Sequence, residues 1–430
     1  MGSVPQSLES RGTKKSWYST LGPGLITGAS DDDPSGIATY SQIGAQFGFG
    51  FLWVMLFIYP LQAATQEISA RVGRVTGHGV SGNLRRAYHP SLLYGITAVI
   101  LTVTIITLGA DIGAMGAAVH LLIGGPSLLY ATGFAVLSSV LQIFVPYTTY
   151  ARFLKVLTLA LFAYVITVFL IHVPWGAALR ATIWPQVQFS GPWGQGLVAV
   201  VGTTISPYLF FWQAAEEVSE LDAHPLENPL IEQPAQAQEQ FHRIRVDTYT
   251  GMAFANAVAF CIILTAAVTL HAHGIKDIQT AAQAAQALQP IAGRFAFFLF
   301  AMGILGTGLL AVPVMAGTAG YTLGEALNWP TGLERKPLQA RGFYAIIAVA
   351  TLLGLGMNFF HLDPIRALYY SAIVNGLAST PIMLLLMLVA SNTKIMGRFV
   401  IPRYLQSIGW LATAIMAIIS AIFFITLGRS

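Results

Sequence analysis

Eleven windows of about 20 apolar residues, the length that crosses a bilayer core, recur along this chain. They lie near 21–46, 49–70, 93–118, 128–145, 152–172, 195–218, 247–272, 294–321, 342–359, 365–390 and 405–427. Such a pattern requires an all-α integral membrane fold, because a helix satisfies its own backbone groups in lipid. Only 9% of the residues are charged, against roughly a quarter in a water-soluble domain. That deficit runs the whole length and excludes a globular domain with a single anchor.

With the N-terminus placed in the cytoplasm, 17 of the 22 Lys and Arg residues fall inside and 5 outside, as the positive-inside rule favours. The net charge of +4 then follows from topology, and no nucleic-acid signal is present. The expected location is the inner (plasma) membrane, multi-pass. Residues 1–17, polar with Arg11, Lys14 and Lys15, read as a cytoplasmic tail without the features of a signal peptide. Cys261 lies in an apolar run and has no disulfide partner. The Glu-, Pro- and Gln-rich stretch 219–240 is expected to be a cytoplasmic connector, partly helical, and 275–289, rich in Ala and Gln, an external amphipathic surface helix.

The first span is interrupted. A helical run to Ser30 meets Asp31-Asp32-Asp33-Pro34-Ser35-Gly36 before apolar residues resume at Ile37. Each central Asp costs about 2.5 to 3.5 kcal/mol on an insertion scale, and intramembrane carboxylates are functional by default. Pro34 removes a backbone donor and disfavours helix at Asp33, while Gly36 tolerates unusual dihedrals. The helix is therefore expected to unwind from about Asp32 to Gly36. The sixth span repeats the interruption at Gly202-Thr203-Thr204-Ile205-Ser206-Pro207-Tyr208. Breaks at corresponding places in two halves point to the binding site of a transporter built from inverted repeats. The expected divisions are 18–192 (helices 1–5), 193–392 (helices 6–10) and 393–430 (helix 11 and the C-terminus).

The donors at these breaks are oxygens: carboxylates, hydroxyls and freed carbonyls. Hard donors suit Mg²⁺, Ca²⁺ and Mn²⁺, whereas softer metals favour sulfur or imidazole. Mg²⁺ keeps several waters and takes only one or two carboxylates directly. A pocket with Asp32 and Asp33 among the small residues Ser35, Gly36 and Ser206 therefore fits a partly hydrated Mg²⁺. Asp31, Asp111 and the Glu216–Glu217 pair are the titratable groups within reach.

Gly22-Pro23, Asp33-Pro34-Ser35-Gly36, Ala110-Asp111-Ile112 and Ser206-Pro207-Tyr208 together resemble the natural resistance-associated macrophage protein (NRAMP) family of divalent metal transporters over nearly the whole chain. The resemblance implies a leucine-transporter-like 5+5 inverted repeat with helices 1 and 6 broken and an eleventh helix outside the repeat. It gives Asp33 the place of the metal-binding Asp and Thr203 that of a carbonyl donor, with Asn375 at the depth of a helix-10 ligand. Against the family pattern, Gly36 replaces Asn, Ser206 replaces the metal-binding Met, and Tyr208 replaces His. Gln213 stands for a second His, and Ala114 for the Glu that would follow Asp111. These departures resemble the NRAMP-related magnesium transporter branch, which handles Mg²⁺ and Mn²⁺ without clear proton coupling.

The expected function is import of Mg²⁺, with Mn²⁺ as a further cargo, by alternating access and without proton coupling. The expected metal residues are Asp32, Asp33, Gly36, Thr203, Ser206 and Asn375. Asp31, Asp111, Tyr208, Gln213, Glu216 and Glu217 are candidates for a proton route or an inner vestibule. Asp111 is also placed to pair with a group such as Arg366. The alternatives are a proton-coupled Mn²⁺ or Fe²⁺ importer and, more remotely, a non-transporting metal sensor. Neither a resident cofactor nor enzyme chemistry is implied, and the partners are the metal ion and the bilayer, with a monomeric transport unit.

Overall fold

The computed structural model describes residues 23–145, 162–223, 227–289, 293–333, 335–360 and 363–427. Gly22, the N-terminal tail and about half of the fifth apolar window lie outside the described residues. Among the described residues the chain is helical, with no strand. Helices α1 (Pro23–Asp31) and α2 (Pro34–Phe47) form the first span and α3 (Leu52–Thr76) the second. A short α4 (Val80–Ala87) leads to α5 (Pro90–Ile123) and α6 (Ser127–Phe144), the third and fourth spans. The fifth span contributes α7 (Phe162–Leu170), followed by a short α8 (Trp175–Ile183). The sixth is split into α9 (Gly191–Thr204) and α10 (Pro207–Ala223). Then come α11 (Ala237–Thr269), the short α12 (Ala281–Gln286), α13 (Ala296–Leu327), α14 (Arg341–Met357), α15 (Pro364–Ala390) and α16 (Arg403–Thr426).

Packing sorts these spans into two bodies and an arm. Spans 1, 2, 6 and 7 pack on one another through α1–α11, α2–α11, α3–α10 and α3–α11. Spans 3, 4, 8 and 9 form a second set through α5–α13, α5–α6, α5–α14 and α13–α14. Helix α15 touches both, lying against α9, α2 and α5, with α16 behind it. The sixth span is central, and its most apolar window is wholly buried. Small residues allow the closest approaches. A Cβ on Gly28 would collide with the backbone of Gly251, and one on Gly24 would lie 2.7 Å from Thr248 N, so α1 lies directly on α11. A Cβ on Gly202 would likewise strike Ala372 and Gly376, which binds α9 to α15.

Both connectors carry helix. Stretch 219–240 is partly helical among its described residues, as α10 continues through Ala223 and α11 begins at Ala237. Between them, Leu230 N donates to Arg74 O and Ile231 N to Val75 O, both at 3.2 Å, satisfying the last carbonyls of α3. In 275–289, Thr280 and Gln283 form a capping box that opens α12. Ala284, Ala285, Ala287 and Leu288 form its buried side, where alanine is small enough to tuck into the bundle, while Ala281, Gln283 and Gln286 are half-buried.

Candidate metal site

Both breaks are built by the same local chemistry. Helix α1 ends at Asp31 and α2 restarts at Pro34, where proline sits at N1 and its missing N–H costs nothing. The unwound stretch is thus only Asp32–Asp33, narrower than the Asp32–Gly36 expected. The reason lies in Asp33 itself: it is the N-cap of α2, and its Oδ1 accepts from Gly36 N at 2.7 Å. In the sixth span α9 ends at Thr204, and Pro207 opens α10 after Ile205 and Ser206.

The two breaks meet across the first and sixth spans. Tyr208 Oη donates to Asp33 Oδ2 at 3.0 Å, and Tyr40 Oη lies 3.1 Å from Thr204 Oγ1. Both oxygens of Asp33 therefore accept protein hydrogen bonds. Asp32 is different: it is 1% exposed and neither carboxylate oxygen accepts a hydrogen bond. Asp31 accepts from Gln62 Nε2 at 2.6 Å through Oδ2, while its Oδ1 is unpartnered. An unpartnered buried carboxylate is costly unless a positive charge or a proton joins it. Among the described residues, no three His, Cys, Asp or Glu side chains converge as they do around a tightly held metal. A passing ion here would draw on hydroxyls, carbonyls and retained water as well.

The other expected residues distribute as follows. The Thr203 carbonyl accepts from Ser206 Oγ at 2.8 Å, and the same hydroxyl reaches Gly202 O at 3.2 Å, so the two helix-6 donors face each other. Gly36 leaves room beside Asp33, since a Cβ there would sit 3.3 Å from the Tyr40 ring and 3.6 Å from Asp33 Oδ1. Asn375 Nδ2 donates to Thr107 Oγ1 of α5 at 2.9 Å, leaving Oδ1 unpartnered. Ser35 Oγ donates to Leu368 O at 3.0 Å and lies 3.2 Å from Ser371 Oγ, tying α2 to α15.

Asp111 is fully buried on α5, beside the Ser35 amide and within electrostatic reach of Asp33. It does not pair with Arg366, whose nearest acid is Asp277 at 4.0 Å, toward the surface. Glu217 is neither a solvated helix end nor a free vestibule carboxylate. It is buried and ion-paired with Arg243, because α11 begins early enough to bring that arginine alongside. Glu216, on the next position, is half-buried. Gln213 Oε1 accepts from Thr27 Oγ1.

Two residues of this neighbourhood escaped sequence reading. Gln62 reaches Asp31 from the second span, and no local motif marks it. Met115, one turn beyond Asp111, packs against Gly308, and the same Gly308 position borders the Pro34 ring. Its spacing of four from Asp111 was the available signal. Two polar cavities lie toward opposite ends of the bundle. One of about 270 Å³ lies between α2, α9 and α15, lined by Gln42, Gln46, Gln195 and Asp277. At the opposite end a cavity of about 630 Å³ is bordered by His78, Arg86, Asp222, Tyr321 and Glu325.

This arrangement has known counterparts. The solved structure of the Eremococcus coleocola manganese transporter, in complex with an aromatic bis-isothiourea substituted compound, superposes with a TM-score of 0.76 at 17% identity, covering 97% of this chain and 88% of that one. Mhp1, a nucleobase-cation-symport-1 family transporter in a closed conformation, gives 0.52 at 14% identity, covering 94% and 92%. The fold is leucine-transporter-like. In sequence, a divalent metal cation transporter MntH of Klebsiella pneumoniae subsp. pneumoniae is 25% identical over 422 residues, covering 96% of this chain and 95% of that protein. The family model described as natural resistance-associated macrophage protein-like matches residues 24–426. Two breaks, one buried acidic gap and a match over nearly the full length make this chain a member of the natural resistance-associated macrophage protein-like family.

Proposed function

We propose that this protein carries divalent metal cations across the membrane, with Mg²⁺ as principal cargo and Mn²⁺ as a second, without a coupled proton. The observation that carries the reading is Asp32, a buried carboxylate with both oxygens unpartnered, set beside Asp33, which Tyr208 of the other break reaches. Asp32 and Asp33 supply the charge, while the Thr203 carbonyl, the Ser206 hydroxyl and water complete the shell. Asn375 Oδ1 contributes from α15 with Gly36 leaving space for water. No thioether is offered from the helix-6 break, which removes the preference for softer ions. The ion enters through the cavity between α2, α9 and α15, and rocking of spans 1, 2, 6 and 7 against spans 3, 4, 8 and 9 releases it on the cytoplasmic side.

A second reading, proton-coupled transport of Mn²⁺ or Fe²⁺, is favoured by the buried, unpartnered Asp111 and by relatives named as manganese transporters. Proteoliposomes holding both a metal-quenched dye and a pH dye separate the two. Mn²⁺ uptake at constant lumenal pH, competed by Mg²⁺, is the expected result, and acidification in step with Mn²⁺ would favour the second reading. Replacing Ser206 by Met is expected to shift the Mn²⁺ to Mg²⁺ preference toward Mn²⁺ by about tenfold, as a soft donor should, measured by competition in the same vesicles.

A further inference from the structure

Helix α3 carries Gln62 and Gln66, which are 1% and 0% exposed. Gln62 uses its Nε2 on Asp31, but its Oε1, both polar atoms of Gln66 and Asp31 Oδ1 have no hydrogen-bond partner. Residues four apart share a helix face, so Gln66 continues the face that Gln62 turns to α1. Farther along that face, Ser69 donates to Phe210 O of α10 and Gly73 lies against Ala214. Helix α1 answers with its own pair at the same spacing, Thr27 and Asp31, and Thr27 bonds Gln213 of α10. The first two spans run in opposite directions through the bundle. Gln66 thus lies on the α3 face between Gln62, which reaches Asp31, and Ser69, which reaches Phe210. Buried amides without partners are costly where an apolar side chain would pack freely, so this seam calls for a polar occupant.

We propose that Asp31, Gln62 and Gln66 form a second station for the hydrated divalent cation, adjoining the site at the breaks and opening into a seam lined by Thr27 and Gln213. The station rests on the reading of the chain as a cation transporter. Its chemistry is one carboxylate oxygen and two amide oxygens, all hard donors, and few enough to leave a divalent ion most of its waters. One formal charge holds the ion less tightly than the Asp32–Asp33 pair, so the ion can move on.

The test uses the full chain in proteoliposomes, with Cys261→Ser as the parent and Gln66→Cys built on it. Mn²⁺ uptake is followed with and without Cd²⁺. If the ion passes residue 66 at coordinating distance, a thiolate there traps Cd²⁺, and uptake becomes about tenfold more sensitive to Cd²⁺ than in the parent, reversibly on chelation. A Gln66→Cys protein that transports with the parent's sensitivity overturns the station. Should that variant fail to fold, Gln66→Leu and Gln66→Asn supply the measurement: about tenfold slower uptake for Leu at unchanged Mn²⁺ affinity, restored by Asn, supports the station. Equal rates for Leu and the parent overturn it. Failure of the parent itself to take up Mn²⁺ would strike the underlying transporter reading instead.

Discussion

Asp32 and Asp33 are neighbours with the same side chain, yet their oxygens are committed differently. Asp33 caps α2 and accepts from Tyr208, whereas Asp32 accepts nothing. Their alanine variants should therefore separate. Loss of an N-cap costs about 1 kcal/mol, so Asp33→Ala should melt below the parent in metal-free detergent. Removing an unpaired buried charge costs nothing and can stabilise, so Asp32→Ala should melt at or above it. Added Mg²⁺ or Mn²⁺ raises the parent's melting temperature by binding the folded state, and Asp32→Ala should lose that rise. A full metal-induced shift in Asp32→Ala would remove it from the site.

Among the elements, the short helices and close contacts are where substitutions should report most clearly. Glu325, near the end of α13, accepts from Gly79 N at 3.0 Å and Gly82 N at 2.8 Å, so an acid from another span caps α4. A Cβ on Gly79 would press on that carboxylate, the movable end of the Glu325 side chain. Glu325→Ala should cost about 1 kcal/mol, as loss of a cap does, and hydrogen exchange should accelerate selectively over Val80–Ala87. A second test concerns α1, whose N-terminal Gly24 N donates to Asp247 Oδ2 of α11 at 2.7 Å. Gly28→Val would force α1 off Gly251, with overpacking worth about 1 to 3 kcal/mol. Both a lower melting temperature and greater thiol labelling of a cysteine placed at Thr27 are expected.

Taken whole, the molecule ties its two bodies together at the end where α10 meets α13. Ser219 Oγ lies 3.0 Å from Tyr321 Oη, and Arg335 bonds Asp222 at 3.1 Å. These contacts join the body of spans 1, 2, 6 and 7 to that of spans 3, 4, 8 and 9, and under the proposed rocking of the two bodies they part when an ion is released. For uncoupled transport the driving force is the gradient plus the membrane potential, about 2.3 kcal/mol per charge per 100 mV. A divalent ion feels twice that. Imposing an inside-negative potassium diffusion potential on the vesicles should accelerate Mg²⁺ uptake, and collapsing it should slow uptake, with no pH gradient required. Indifference to the potential would argue against net movement of two charges.

The apolar windows and the two proline-marked breaks were decided by the sequence, because spanning length and the loss of a backbone donor act locally and leave a readable period. The residues that opened the resemblance, Asp33-Pro34 and Ser206-Pro207 among them, are likewise contiguous. What the chain order could not disclose was which partner each polar group finds. Gln62 reaches Asp31, Arg243 neutralises Glu217, Asn375 bonds Thr107 and Asp32 is left unpaired, all across segments remote in sequence. In a membrane interior each such group must be matched or carry its cost, and only the packing of the helices decides which of the two it is.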